Sequence, residues 1–113
     1  MAKDPMKRKQ FVDSAVKFIQ QHNFDGLDLD WEYPGKRGGA PEDKANFIAL
    51  IQDLHSVFSK YNLLLTAAIG AAQGTIDAAY DVEKMYKYLV RQSRMSEICA
   101  PACFSGLCAC DVL

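Results

Sequence analysis

The stretch "FDGLDLDWEYPG", residues 24–35, decides the fold because it alternates acidic and apolar residues. Side chains on a β-strand point to its two faces in turn, with a period of two. Asp28, Asp30 and Glu32 would therefore project from one face, while the apolar residues between them project from the other. The pattern predicts a strand over residues 24–32 that carries a row of carboxylates along one side.

The segment before this strand predicts a helix. Asp4 suits the N-cap position, and Pro5 suits the first helical position, where the missing N–H costs nothing. Apolar residues then recur at helical spacing between residues 11 and 19. The pattern stops near His22 and Asn23, so we expect the helix to end there.

Three further elements are predicted after the strand. Residues 41–43 open a second helix, whose acidic first turn matches the helix dipole. Residues 63–69 predict a strand buried on both faces, because its apolar residues are continuous. We expect a loop over residues 70–80 and a third helix near Asp81. The residues expected to face inward from that helix are Val82, Met85, Tyr86 and Leu89.

The order helix, strand, helix, strand, helix is typical of parallel strands joined by helical crossovers. The predicted fold class is therefore α/β. Two strands cannot cover both of their faces by themselves, so the chain is interpreted as one slice of a larger α/β architecture. Exposed sheet edges would then favour self-association.

Composition excludes several classes of partner. The chain has 113 residues, with 13 basic and 14 acidic side chains and a formal net charge of -1. This balance disfavours nucleic acid and anionic membranes as partners. The longest apolar run, residues 63–72, is far shorter than the roughly 20 residues that a membrane span needs. The charged first ten residues contain no signal peptide.

The carboxylate row itself suggests acid catalysis. A protonated carboxylic acid beside an ionised one supplies the proton donor and the anionic stabiliser that glycosidic bond cleavage requires. A cation site is the alternative, but an EF-hand loop starting at Asp28 would need glycine at the position of Tyr33. We therefore expect no metal ion and no cofactor. Asp25 is interpreted as structural, and Trp31 as a packing residue because it lies on the apolar face.

The sequence "DGLDLDWEYP" resembles the signature of family 18 glycoside hydrolases, the chitinases. The family pattern D-x-x-D-x-D-x-E is matched by Asp25, Asp28, Asp30 and Glu32. The segments "FVDSAVKFI" and "LLLTAAIGAAQGTIDAAYDVEKMYKYL" also resemble animal chitinases. The similarity covers about residues 1–89.

The resemblance implies a TIM barrel, in which residues 24–32 would be the fourth strand and residues 63–69 the fifth. Such a barrel typically needs about 250 residues. Residues 1–89 would thus be a partial catalytic domain and a fragment of an incomplete (β/α)8 barrel. The resemblance also implies an extracellular location.

The family's chemistry implies a role for each acid. Glu32 would be the general acid, Asp30 would orient and stabilise the substrate's N-acetyl group, and Asp28 would share a proton with Asp30. The acetamido oxygen of the substrate would attack the anomeric carbon, giving retention. Tyr33 would contact the substrate. The implied substrate is chitin or a chitooligosaccharide with β-1,4-linked N-acetylglucosamine units.

The C-terminal segment departs from the family. Residues 90–113 contain all four cysteines, Cys99, Cys103, Cys108 and Cys110, at a spacing that fits no common zinc pattern. We expect this tail to have no defined fold and to come from a shifted frame, a retained intron or an alternative exon. The alternative function is therefore a non-catalytic truncated product, either a chitin-binding remnant or an inactive fragment.

Overall fold

The structure, a computed structural model, describes residues 1–89, and the predicted cysteine-rich tail lies outside the described residues. Helices and strands follow each other along the chain, as the sequence pattern predicts. The elements are α1 (Pro5–His22), β1 (Gly26–Asp30), α2 (Asp43–Tyr61), β2 (Leu64–Ala68), α3 (Gln73–Ala79) and α4 (Val82–Tyr86). No helix within residues 1–89 is both long and apolar enough to cross a membrane.

Helix α1 begins and ends at the predicted residues. The Asp4 carboxylate caps it by accepting the backbone N–H of Met6 at 2.8 Å, and Pro5 occupies the first turn. Asn23 takes the left-handed conformation with φ of 55° and closes the helix. The chain then turns directly into β1. Local capping chemistry therefore sets both where the helix stops and where the carboxylate strand starts.

Strands β1 and β2 form a parallel pair in which Gly26 lies beside Leu64 and Asp30 beside Ala68. The pairing starts at a close approach of the two backbones. A Cβ atom on Gly26 would collide with the Leu64 carbonyl, so only glycine fits there. The predicted parallel α/β arrangement is confirmed for these two strands.

The hydrophobic core lies on one side of this sheet. Helices α1 and α2 pack against it, and the largest fully buried side chains include Phe47, Ile51, Leu54 and Phe58 of α2. From the strands, Leu29 and Leu65 enter the core with exposures of only 8% and 1%. The opposite side of the sheet carries Asp28, Asp30, Leu64 and Thr66, which are exposed.

Two strand predictions need correction. Strand β1 is shorter than predicted, because its pairing with β2 ends at Asp30 and Glu32 lies in a bend beyond it. Strand β2 is not buried on both faces: Leu65 and Ala67 are buried, whereas Leu64 is 49% exposed. The reason is that helices cover only one side of the sheet within residues 1–89.

Two helix predictions also need correction. The predicted loop over residues 70–80 contains α3, which packs against α2 and buries Ala79 completely. Helix α4 has only five residues and turns Met85 inward, while Val82 and Tyr86 are exposed; Leu89 is buried but lies beyond the end of the helix. So short a helix presents only a narrow stripe to its neighbour, so Val82 and Tyr86 keep 40% and 53% exposure.

Candidate active site

The predicted acids lie on the open side of the sheet. Asp28 and Asp30 are exposed on β1, with buried Leu29 between them, as the strand period requires. Glu32 follows two residues after the strand and keeps 51% of its side chain exposed. The three carboxylates thus face solvent near the carboxyl end of β1.

Asp28 is held by the neighbouring strand. Thr66 is its partner in the parallel register, and the Thr66 hydroxyl donates to Asp28 Oδ1 at 2.6 Å. A hydroxyl-to-carboxylate bond this short is strong and fixes the rotamer of both side chains. One carboxylate of the row is therefore anchored across the sheet.

Glu32 stands at the start of a loop that folds back on itself. The peptide bond between Glu32 and Tyr33 is cis, and the N–H of Lys36 donates to the Tyr33 carbonyl at 3.0 Å. Gly35, with φ of 75°, supplies the left-handed conformation this turn requires. The loop brings Arg37 back towards the site.

Arg37 contacts both of the predicted site residues at this end. Its Nη1 lies 3.4 Å from Glu32 Oε2, and its guanidinium carbon lies 5.2 Å from the centre of the Tyr33 ring. The ion pair is largely exposed on both sides, so its contribution to stability is small. It nevertheless places a positive charge beside the predicted general acid.

Tyr33 bridges the ends of the two strands. The ring is half-buried against Gly70, where an added Cβ would lie 3.1 Å from Tyr33 Cε1. The loop is further tied to α3, because Lys36 Nζ donates to Thr75 Oγ1 at 3.3 Å. Tyr33 therefore lies at the same edge of the sheet as Glu32, which is where its predicted substrate contact would be.

Trp31 lies on the covered side, as its position in the strand pattern predicts. Its ring meets Phe47 of α2 edge-on, at a centroid distance of 5.6 Å and an angle of 88°. The Trp31 carbonyl accepts the Tyr80 hydroxyl at 2.9 Å. Burial raises the pKa of Tyr80 to about 12; a backbone hydrogen bond from Gly70 opposes the rise, and the charges of Tyr33, Asp30 and Glu32 add to it.

Sequence reasoning missed two residues that organise this site. The sequence pattern singles out neither of them, Tyr80 or Thr66, as a site residue. The available signal for Thr66 was a single hydroxyl within a buried strand. No comparable signal marks Tyr80, because its partner lies 49 residues away.

The site contains oxygen donors but no metal-binding cluster. Among residues 1–89, no group of three or more His, Cys, Asp or Glu side chains could hold a metal ion. The chemistry available to the described side chains is proton transfer and charge stabilisation by carboxylates, with Thr66 and Arg37 as hydrogen-bond donors. The Glu32 carboxyl at the strand end is accessible to a ligand on the open face.

Comparisons with known proteins identify the family of the chain. Residues 1–94 match the family model described as "Glycosyl hydrolases family 18". The chain is 51% identical over 82 residues to probable chitinase 2 of Drosophila melanogaster, a match that covers 73% of this chain and 17% of that protein. The chain thus spans less than a fifth of that relative's length.

Solved structures show the same local fold. The crystal structure of the Ostrinia furnacalis Group IV chitinase in complex with allosamidin superposes with a TM-score of 0.77 at 38% identity, over 79% of this chain and 24% of that one. The human protein YKL-39, described as a pseudo-chitinase with retained chitooligosaccharide binding, superposes with a TM-score of 0.70 at 36% identity, over 79% of this chain and 25% of that one.

Proposed function

Because the chain belongs to glycosyl hydrolases family 18, we propose that it forms part of a catalytic domain that hydrolyses the β-1,4 linkages of chitin. The family resemblance seen in the sequence is thereby confirmed. The observation that carries the proposal is the row of exposed acids that ends with Glu32 at the carboxyl end of β1. In parallel barrels the active site lies at this end of the strands.

In this proposal the Glu32 carboxyl protonates the glycosidic oxygen as the bond to the anomeric carbon breaks. The acetamido oxygen of the same sugar attacks that carbon and forms a cyclic oxazolinium ion, whose positive charge Asp30 stabilises. Water then opens the ring and gives up a proton to the Glu32 carboxylate, which restores the acid. Two inversions give net retention at the anomeric carbon.

Asp28 and Tyr33 have supporting roles in this proposal. Asp28 shares a proton with Asp30, and the hydroxyl of Thr66 at 2.6 Å keeps Asp28 in place while Asp30 turns towards the substrate. Tyr33 contacts the sugar from the strand ends, where its ring lies beside Gly70. No step needs a metal ion or a cofactor.

We also propose that β1 and β2 are the fourth and fifth strands of a TIM barrel. Leu64 is 49% exposed on the open face, which further strands of a barrel would cover.

The catalytic portion would comprise residues 1–89, and residues 90–113 would form a separate tail. The family resemblance also implies an extracellular location, which is part of this proposal. Resequencing the transcript around codons 88–95 tests the origin of the tail.

The experiment uses a chimeric domain, defined as the Ostrinia furnacalis Group IV chitinase catalytic domain with its aligned segment replaced by residues 1–89 of this chain. We expect the chimeric domain to cleave N-acetylglucosamine oligomers. Glu32→Gln should lower kcat by at least about 10²-fold, the usual range for a lost general acid, while oligomer binding persists. Glu42→Gln, at the exposed start of α2, is the matched control. Equal activity in both variants would refute the assignment.

A second candidate function is binding without catalysis by the 113-residue chain alone. It is favoured by the open face of β1 and β2, where Asp28, Asp30 and Thr66 are exposed to solvent. Binding without hydrolysis is also the property described for the human pseudo-chitinase. Calorimetric titration with N-acetylglucosamine oligomers, together with sedimentation, separates oligomer binding from self-association through the sheet edges. Measurable turnover by the chain alone would exclude this candidate.

A further inference from the structure

Tyr80 is the buried hydroxyl group nearest the end of the carboxylate strand. It lies between α3 and α4 and is only 3% exposed. Its ring meets Phe47 at a centroid distance of 6.0 Å, and Phe47 in turn meets Trp31 edge-on. This aromatic row, Trp31–Phe47–Tyr80, fixes the direction of the phenol.

The hydroxyl of Tyr80 is hydrogen-bonded to the end of β1. It donates to the Trp31 carbonyl at 2.9 Å, and the Gly70 backbone, just after β2, acts on the same hydroxyl by lowering its pKa. The Trp31 carbonyl belongs to the peptide group that joins Trp31 to Glu32. With its pKa raised to about 12, the Tyr80 hydroxyl stays protonated and able to donate at neutral pH.

Glu32 needs such a link because the strand does not hold it. The ladder with β2 ends at Asp30, so no strand pairing fixes the backbone of Glu32. Its side chain meets Arg37 at 3.4 Å, but both groups are more than half exposed, and such pairs are weak positional constraints. The buried hydrogen bond from Tyr80 is made to the peptide group directly before Glu32.

We propose that Tyr80 is a positioning residue, whose hydroxyl holds the Trp31–Glu32 peptide and thereby sets where the Glu32 carboxyl enters the site. This inference rests on the proposed function in one respect only, namely that Glu32 is the proton donor. Loss of the hydroxyl should leave substrate binding intact and misplace the donor, because proton transfer depends steeply on distance and angle.

The direct test uses the full 113-residue chain and nuclear magnetic resonance. Trp31 is the single tryptophan, so a sample with carbonyl-¹³C tryptophan and ¹⁵N glutamate gives one carbonyl-to-amide cross-peak, from Trp31 and Glu32. Tyr80→Phe should shift this cross-peak upfield in ¹³C, because the carbonyl loses its hydrogen bond. The matched control is Tyr88→Phe. In the parent chain, the Tyr88 hydroxyl accepts a hydrogen bond from Gln52 Nε2 at 3.1 Å on the outer surface. An unchanged cross-peak in Tyr80→Phe overturns the proposal.

A second measurement does not depend on how well the phenylalanine variant folds. Incorporation of 3-fluorotyrosine keeps the ring and makes each phenol a stronger donor. Among the tyrosine hydroxyl contacts described in residues 1–89, the contact with the Trp31 carbonyl is made by Tyr80. The Trp31 carbonyl resonance should therefore move downfield, opposite to the shift in Tyr80→Phe. No movement on fluorination counts against the bond and the proposal.

The functional test uses the chimeric domain. Tyr80→Phe should lower kcat about tenfold, leave KM within twofold and change the shape of the kcat–pH profile, whereas Tyr88→Phe should change none of these. A kcat within twofold of the parent, with Glu32→Gln inactive, overturns the positioning role and leaves the proposed function standing. The proposed function is contradicted instead if the parent chimeric domain shows no turnover or if its Glu32→Gln variant is fully active. In that case the nuclear magnetic resonance cross-peak still tests whether the hydrogen bond from Tyr80 to the Trp31 carbonyl exists.

Discussion

The two faces of the β1–β2 sheet are built from the same ten strand residues but have opposite characters. On the covered face, Leu29, Leu65 and Ala67 are buried under α1 and α2. On the open face, Asp28, Asp30 and Thr66 are exposed, and the Thr66–Asp28 hydrogen bond joins the two strands. Alternation along a strand makes this division possible, since neighbouring residues never share a face.

The difference teaches that stability and chemistry are separated within one short segment. Apolar burial on the covered face supplies the free energy of folding, at about 25 cal/mol for each Å² removed from water. Carboxylates on the open face add little to it, so their positions are free to serve a ligand. The boundary between the two is the peptide that Tyr80 holds, where Trp31 faces the core and Glu32 faces solvent.

The largest expected effect comes from truncating the core on the covered side. Leu54 of α2 is completely buried, so Leu54→Ala should lower the free energy of unfolding by about 3–4 kcal/mol through lost contacts and a cavity. Leu64→Ala removes the same atoms from the open face and should cost less than about 1 kcal/mol. Urea unfolding of the 113-residue chain, followed by Trp31 fluorescence, measures both. Similar losses of unfolding free energy in the two variants would contradict the difference in burial between the covered and the open side.

The next largest effect concerns the point where the two strands meet. Gly26→Ala should destabilise the chain by about 2–3 kcal/mol, because the added Cβ collides with the Leu64 backbone, which cannot move away cheaply. Gly74→Ala is the control: it lies in α3 with open space around it, and alanine there should be neutral or stabilising by up to about 1 kcal/mol. The same unfolding assay applies. If Gly26→Ala leaves the free energy of unfolding unchanged, the close approach of the two strands at Gly26 does not fix their register.

The smallest expected effect is a pH dependence at the boundary between the faces. The pKa of Tyr80 is raised to about 12 in the folded chain from 10.0 when unfolded, so the folded state keeps this proton longer. The resulting stabilisation is complete below pH 10 and is lost as the pH rises towards 12. Between pH 10 and pH 12 the free energy of unfolding of the parent should fall by about 2 kcal/mol relative to that of Tyr80→Phe, because phenylalanine cannot ionise.

Urea unfolding at pH 8, 10 and 12 tests this titration. Tyr80→Phe should be the less stable protein at pH 8, by about 1 kcal/mol for the lost hydrogen bond, and the gap should close or reverse by pH 12. A gap that stays constant would show that the Tyr80 hydroxyl is not buried beside Trp31. It would also remove the distinction between a covered and an open side at the end of β1.

Much of the fold could be predicted from local sequence. The cap of α1 at Asp4, its stop at Asn23 and the alternation of Asp28, Leu29 and Asp30 all follow from neighbours a few residues apart. The helix α3 could not be predicted, because two glycines within residues 70–80 indicate a loop and only the burial of Ala79 against α2 favours the helix. The end of β1 at Asp30 depended likewise on where the partner strand stops.

The sequence by itself determined the family, the order of α1, β1, α2 and β2, and the faces of β1 on which Asp28, Leu29 and Asp30 lie. These properties depend on backbone periods and capping groups, which act over one or two turns. Only the tertiary structure decided that Thr66 donates to Asp28 and Tyr80 to the Trp31 carbonyl, across 38 and 49 residues of chain. Such partners are brought together by packing of the core, and packing depends on the whole fold rather than on any one segment.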